Sequence, residues 1–502
     1  MSNPTALSLD RLLLEVLHVI FYHIDIPDIL QVRRVSRYLN EATRYRKVWA
    51  DAYRTAEFVR PPGPFPSQSM QDLEKALITS FRIHKKFGHR VGTAHAKRQT
   101  FQSREFRYNG MLHDARLVFG QFLVVAFQDE IRCYDLTLDE SSGARIIYRP
   151  THGILRSFHC VSAIDVEGRP FTCVTLSEGT EEMWRISVYL LNAGEQSELT
   201  LDLLHQFEHS MFIVKAVDLG PRVIAIQGVV GQDFNADWRL IVLDVHTRTQ
   251  FILPSFTLAS QTKMTELGLD DCNKPMCIST STHLILANSF YSRAAGWHAF
   301  FQAFTLPTPH THSHLTLAST PLTPSHHGVI PDIQVGGTLL RDTVLDSSTQ
   351  DALITIYVDM YEPSRPRTPL PRYGTLRLST THVARDHEAG TIAFQPLGRL
   401  IHPPFYPHRP CFSGTSRVFY LTEKGSKWII AALEYDLFGR DSGATKTTRY
   451  LHALRFPNPF DQVIMDYDPY AGQICLHTTA GGSAIKVFDF SQVDTWPTAD
   501  EI

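Results

Sequence analysis

From about residue 91 to the C-terminus the chain repeats one device. A short apolar run is followed by a break rich in Gly, Pro, Asp or Ser, then by a second short run that more often alternates apolar and polar side chains. The pairs are 122–127 with 131–136, 171–176 with 186–191, 223–226 with 240–245, 283–287 with 301–304, 353–358 with 375–378, 428–433 with 451–454, and 473–476 with 485–490. Phe122-Leu123-Val124-Val125-Ala126-Phe127 ahead of Ile131-Arg132-Cys133-Tyr134-Asp135-Leu136 shows it most clearly. Runs this short, rich in β-branched and aromatic residues, predict strands. An unbroken apolar run predicts a strand buried on both faces, whereas alternation predicts one wet face and an outer place in the sheet. A single pair cannot bury its faces alone, so the pairs must pack on one another.

Repetition of such a unit along some four hundred residues is the sequence pattern of a β-propeller. The spacing allows six to eight blades, and a pair of β-sandwiches or another large all-β fold is the alternative. The repeats resemble those of WD-repeat receptors in degenerate form: the Gly-His and Trp-Asp words do not recur, and the period is longer. In a closed ring the last pair, 473–490, would lie beside the earliest β-segment, near residues 100–136. Two stretches interrupt the pattern and are expected to be loops: 306–330, with Pro307, Pro309, Pro321 and Pro324, and 362–372, with Pro363, Pro366, Pro369 and Pro371.

The first ninety residues have a different texture. Val16, Leu17, Ile20, Phe21 and Ile24 fall at helical spacing and form one apolar stripe. Asp25 and Pro27 mark a stop and a restart, since Pro is tolerated in a first turn. Ile29, Leu30, Val32 and Val35 supply a second apolar set, and Ser36-Arg37 leads into a third helix that continues past Trp49 to Tyr53. Three helices in so few residues leave apolar surface uncovered unless they cap the next domain or dock on a partner. Arg60-Pro61-Pro62-Gly63-Pro64-Phe65-Pro66 then breaks regular structure and reads as a semi-rigid spacer. A further helix follows, capped by Ser67 or Ser69, with Met70, Leu73, Leu77 and Phe81 on one face and Gly88 at its end. The organisation is α+β and multidomain: a three-helix module at 8–54, a spacer and linker helix at 55–90, and an all-β domain at 91–502.

The segment Leu12-Leu13-Leu14-Glu15-Val16-Leu17, followed by Ile20-Phe21, Ile24, Pro27-Asp28-Ile29-Leu30, Val32, Val35 and the closing Trp49, resembles an F-box. One position departs from that family's pattern: Leu13 stands where an early Pro is usual. The order of F-box, Trp, Pro-rich stretch and the words Asp72-Leu73-Glu74-Lys75-Ala76-Leu77 is similar to that of fungal F-box proteins. The resemblance covers about a tenth of the chain. It implies a non-catalytic substrate-recognition subunit of a Skp–cullin–F-box ubiquitin ligase. The partners it implies are a Skp adaptor, through it a cullin, and a protein substrate held by the β-domain. The adaptor contact would draw on Leu12, Val16, Leu17, Ile20, Ile24, Pro27, Leu30, Val32, Val35 and Trp49, some of which must instead hold the module's own core. A scaffold that binds the adaptor outside ubiquitin ligases, and an all-β enzyme with a helical cap, are the alternatives.

A net charge of −3 gives no global field to attract nucleic acid or an acidic membrane, so neither is an expected partner. The seven cysteines are odd in number, dispersed, and without metal-ligand spacing, which predicts buried free thiols in a reducing compartment. The stretch 12–22 is interrupted by Glu15 and His18 and has no basic n-region or small-residue cleavage site, so no signal peptide is expected. Together with the lack of an Asn-x-Ser/Thr sequon and of any span-length apolar segment, this places the expected site in cytoplasm or nucleus. His310, His312, His314, His326 and His327 are close in sequence, but without carboxylate or thiol support they predict no metal site. The paired carboxylates Asp25/Asp28 and Asp270/Asp271 read as turn residues, as do Gly231-Gln232-Asp233 and Gly481-Gly482-Ser483. Trp184, Trp238, Trp297 and Trp428 read as core aromatics. No nucleophile elbow, phosphate loop or cofactor motif occurs, and no cofactor is expected.

Overall fold

The computed structural model describes Leu9, residues 12–88 and residues 102–489. Excepted are 57–59, residue 62 and a set of inter-strand segments, of which 254–270, 307–319, 380–389, 400–410 and 435–447 are the longest. Side chains are described for most of 12–83 and of the strands up to residue 333, for Ile392, and again from 465 onward.

Five helices come first: α1 Leu14–Tyr22, α2 Ile26–Val32, α3 Arg37–Ala42, α4 Arg46–Thr55 and α5 Met70–Gly88. The expected third helix is therefore two, α3 and α4, separated at Thr43-Arg44-Tyr45. Ser36 caps α3 by accepting from the Leu39 amide at 3.2 Å. The break is fixed by Thr43, which is fully buried and whose carbonyl accepts the Trp49 indole N–H at 2.8 Å. A capping box starts α5: the Asp72 carboxylate accepts from the Ser69 amide and hydroxyl, and the Ser69 hydroxyl accepts from the Asp72 amide. Of the two serines that the sequence offered, Ser69 is the cap. No helix among the described residues is long and apolar enough to cross a membrane.

The rest of the described chain is mainly antiparallel sheet. After β1 (Gln102–Arg107), a first sheet runs in chain order through β2 (Leu112–Val118), β3 (Phe122–Phe127), β4 (Ile131–Asp135) and β5 (Arg145–Tyr148). A second does the same through β6 (Ile154–Ile164), β7 (Pro170–Gly179), β8 (Trp184–Ala193) and β9 (Leu199–His209). A third comprises β10 (Phe212–Leu219), β11 (Val223–Val230), β12 (Asp237–Asp244) and β13 (Gln250–Ile252). Next come β14 (Asp271–Cys272), β15 (Met276–Ser279), β16 (His283–Ser292), β17 (Gly296–Thr305), β18 (Thr320–Pro321) and β19 (Pro324–Pro331). Beyond them lie β20 (Ile333–Val335), β21 (Thr343–Leu345), β22 (Ala352–Glu362), β23 (Arg365–Ser379) and β24 (Gly390–Arg399). β18 adds to the third sheet, and the others form a ten-stranded sheet whose two antiparallel halves join through a parallel β19–β24 contact. Gly328 permits that approach, because a Cβ there would meet the Ile392 carbonyl at 2.6 Å. The chain ends with the sheet of β25 (Cys411–Phe412), β26 (Arg417–Lys424), β27 (Lys427–Glu434) and β28 (Thr448–Phe456), and then with β29 (Gln462–Asp468), β30 (Gln473–Thr478) and β31 (Ala484–Asp489).

These last three strands are completed by the first. β1 pairs antiparallel with β31 from Gln102 opposite Asp489 to Arg107 opposite Ala484. Leading strands of successive sheets are neighbours: β29 with β2, β2 with β6, β6 with β10, β10 with β15, and β25 with β29. The expected contact between the last pair and the earliest β-segment is thus present. A core lies between each described pair of sheets, and the strand period divides it. Leu123, Val125 and Phe127 of β3 face the sheet of β1 and β29–β31 with Cys475, Ile485 and Val487, while Phe122, Val124 and Ala126 face the second sheet with Phe158, Val174 and Leu176. In β11, Ile224 and Ile226 pack toward the second sheet and Val223 and Ala225 toward the ten-stranded one.

Three expectations are corrected. Although β28, which holds 451–454, is the outer strand of its sheet as expected, the second member of most pairs is not, since β4, β8 and β12 each carry a further strand beyond them. Their alternation reflects a face that is only partly covered, as in β4, where Ile131 and Cys133 are buried and Arg132 and Tyr134 are not. The stretch 306–330 is not all loop: β18 and β19 occupy 320–321 and 324–331, with His326 buried, whereas His310, His312 and His314 lie outside the described residues. The proline-rich 362–372 belongs largely to β23. Pro369 and Pro371 pair with β22, and β24 joins β23 only from Arg372 onward, so these prolines lie where β23 is paired on one side and a missing N–H costs least.

If β31 supplies both the partner of β1 and an outer neighbour of β30, its loss disrupts the sheet of β1 and β29–β31 and the core that this sheet shares with β3. Deleting residues 484–502 is expected to lower the melting temperature of the entire β-domain or leave it insoluble. A truncated chain with an unchanged cooperative melt contradicts this.

Candidate functional site

The helical module divides its apolar residues cleanly. Leu17, Phe21, Ile26, Ile29, Leu39, Val48, Trp49 and Tyr53 form a closed core with Leu73 and Leu77 of α5. Of the residues expected to contact a partner, Leu17 and Trp49 are therefore interior. Leu12, Ile20, Ile24, Leu30 and Val32 are half-buried against this core, and Pro27 is also half-buried. Val16 and Val35 are exposed, at 43% and 72%.

Other exposed apolar residues extend this surface. Leu13, Val16 and the half-buried Ile20 follow one another at three- and four-residue intervals along α1, and Val19, 62% exposed, and Tyr22 widen the strip. Tyr38 reaches it by donating its hydroxyl to the Leu12 carbonyl at 2.8 Å. Tyr45 stacks edge-on against His18 of α1 at 5.3 Å. Burial, aided by nearby Lys47, lowers the pKa of His18, so the ring is held neutral beneath the strip. The sequence carries a signal for this second face. Leu14–Tyr22 has more apolar positions than one stripe of a nine-residue helix can bury, and the excess must face outward or a partner.

The surface is held rigid from behind. Arg33 grips both carboxylate oxygens of Glu74 on α5, one of them at 3.0 Å, while its Nε donates to the Thr43 hydroxyl at 2.8 Å. Its guanidinium lies 5.0 Å from the Trp49 ring centre. One side chain thus ties α2, the α3–α4 turn, the core Trp and the linker helix together. The proline-rich spacer is tied as well: Arg46 donates to the carbonyls of Phe65 and Gln68, and the Tyr53 hydroxyl to that of Pro61. A paired, half-buried charge of this kind is worth about 2 kcal/mol. Arg33→Ala and Glu74→Ala should each lower the module's stability by about that amount, and the double variant by little more than either, as a double-mutant cycle in urea would show.

A second polar cluster lies in the β-domain, where β2 meets β29. Arg116 forms ion pairs with Asp114 at 2.8 Å and Asp466 at 3.5 Å, and Asp466 accepts the Leu117 amide at 2.7 Å. Burial pushes the Asp466 carboxyl up to about 6, against the pull of Arg116 and the backbone amides, although 18% of the side chain still meets solvent. Its folded pKa exceeds the unfolded value of about 3.9, so the charge is a cost at neutral pH that disappears as pH falls through 6 toward 4. Asp466→Asn is expected to be more stable than the parent chain at pH 7, with the difference shrinking toward pH 4 in urea titrations. The opposite trend would mean that the ion pair with Arg116 outweighs burial.

Elsewhere in the β-domain the polar groups serve the fold. Asp135 and Asp244 end β4 and β12 and accept backbone amides of the following turn, and Asp244 also holds buried Arg222 at 2.6 Å. The words Cys133-Tyr134-Asp135, Val242-Leu243-Asp244 and Val487-Phe488-Asp489 each place Asp opposite the first residue of the preceding strand. This repeat was readable in the sequence. Cys133, Cys160, Cys173, Cys277 and Cys475 are buried free thiols, and burial pushes Cys133 and Cys173 up to about 12. Trp184 and Trp297 are half-buried; the side chains of Trp238, Trp428, Cys272 and Cys411 lie outside the described set, as do 231–236 and 479–482. No group of three or more His, Cys, Asp or Glu is placed to hold a metal among the described residues.

No family model matches the sequence, and no curated protein does. Among solved structures the chain is similar to the WD40 domain of SCAP from fission yeast, at 9% identity and a TM-score of 0.38 over 76% of this chain and 85% of that one. It is also similar to the β-propeller domain of the Trilobed protease from Pyrococcus furiosus, at 9% identity and 0.37 over 78% and 99%. The polysaccharide lyase Uly1 follows at 7% identity and 0.33 over 78% and 99%. At these levels they say nothing about what this chain does.

Proposed function

We propose that this chain is an adaptor-docked receptor. Its N-terminal helices are an F-box that binds a Skp-type adaptor and through it a cullin, and its β-domain holds a protein to be ubiquitylated. The β-domain is read as a propeller of seven units of four or five strands, two of them fused in the ten-stranded sheet, with β1 closing the ring against β31. The pairing of first strand with last and the contacts between leading strands support that reading. The single observation that carries the docking reading is the apolar strip of Leu13, Val16 and Val19, exposed on a module whose own core is complete without it. Contiguous apolar surface on a soluble module marks an interface. Such a receptor acts by proximity: it raises the effective concentration of a target lysine near the transfer machinery and performs no bond chemistry itself.

Co-expression with a Skp adaptor should yield a co-purifying pair. Val16→Asp with Val19→Asp should abolish it while the melting temperature stays unchanged, since both side chains are already solvated. Leu17→Asp should fail for another reason: removing a buried Leu alone costs about 2–5 kcal/mol out of a total near 5–15, so the module unfolds. A folded parent chain that ignores the adaptor overturns the proposal.

A further inference from the structure

The apolar strip is bordered by charge of one sign. From Arg33 to Lys47 the sequence places six cations and one anion, Glu41. Arg33 is consumed by Glu74 and Arg46 by two spacer carbonyls. Arg34, Arg37, Arg44 and Lys47 are exposed, and none of them meets a carboxylate among the described residues. Arg116, Arg132 and Arg222 of the β-domain are each paired, while its exposed Arg156 and Arg248 form no ion pair among the described residues but are isolated in sequence from other cations. The four free cations are interleaved with exposed Val35, Tyr38 and Tyr45. Tyr38 bonds the start of α1 and Tyr45 stacks on its middle, so the cations flank the same strip.

A chain with a net charge of −3 that gathers unpaired cations around one apolar patch has an electrostatically selective docking face. We infer that this face takes a protein whose apolar contact surface is bordered by carboxylates, and that the cations steer the encounter while the apolar strip holds the complex. The exposed centre of the strip, Leu13, Val16 and Val19, is aliphatic and offers no stacking face, which favours a protein over a single-stranded nucleic acid, with Tyr22, Tyr38 and Tyr45 at its border. The inference rests on the docking reading above and deepens it by giving the partner's charge.

Charges at the rim of an interface change the association rate and its salt dependence far more than the dissociation rate. The test measures association of the full chain with a Skp adaptor by stopped flow between 50 and 500 mM NaCl, conditions that shrink the screening length from above about 10 Å to below 8 Å. The parent rate should fall about tenfold or more across this range. Arg34→Glu with Arg37→Glu and Arg44→Glu should lower the low-salt rate by at least about tenfold, flatten the salt dependence and leave the dissociation rate and melting temperature nearly unchanged. Binding that is indifferent to salt and to these substitutions overturns the inference and leaves the docking reading standing. No adaptor binding by the folded parent chain overturns both. Salt-dependent capture of a single-stranded oligonucleotide through the same arginines, without adaptor binding, overturns it in favour of nucleic acid.

Discussion

The pairing of β1 with β31 is the constraint on which the rest of the β-domain depends. Six residues that directly follow the linker region are held in antiparallel register against the last strand of the chain. Without that pair the last sheet is three strands with the edge of β31 uncovered, a liability in any large β-protein. With it, the core of Leu123, Val125, Ile485 and Val487 is sealed between sheets that are more than three hundred residues apart in sequence. Such a contact is costly to form because the intervening loop entropy must be spent first. The successive cores between the other sheets offset that cost. Because each sheet buries residues on both faces, the sheets depend on one another, and the ends of the chain cannot be altered independently.

The helical module follows a different logic. Its interior is small, and α5 is required to finish it through Leu73 and Leu77. The bidentate Arg33–Glu74 pair adds direction to this contact, since a planar guanidinium accepts a carboxylate in one orientation. The orientation is reinforced by Thr43, which satisfies Arg33 with its hydroxyl and Trp49 with its carbonyl. The apolar strip of α1 is thus carried on a module whose linker helix is fixed to it by packing and by an ion pair.

The polar residues of the β-domain show why chemistry-bearing side chains are weak functional evidence in a strand-rich chain. Asp135 and Asp244 complete turns, and buried Arg222 satisfies Asp244. Asp466 is strained by burial and still tied to the Leu117 amide. The buried thiols are held far from ionisation at neutral pH. Each of these groups answers a requirement of the backbone or of packing.

What the sequence by itself determined were the strands buried on two faces. Phe122–Phe127 and Val223–Val230 have sheets on both sides, so nearly every side chain is apolar and the run stands out. It also determined the helix that begins at Ser69, because a capping box is a local bond between near neighbours. Strands such as β2, β6, β10 and β25 were not legible, because they lead their sheets and carry mixed patterns or are very short. The prolines of β23 suggested a loop, since nothing local says that one side of that strand would lack a partner. Division of the first helix into core and surface was likewise a tertiary decision. Leu17 and Val16 are adjacent and both apolar, and only the positions of the other helices bury one and leave the other exposed.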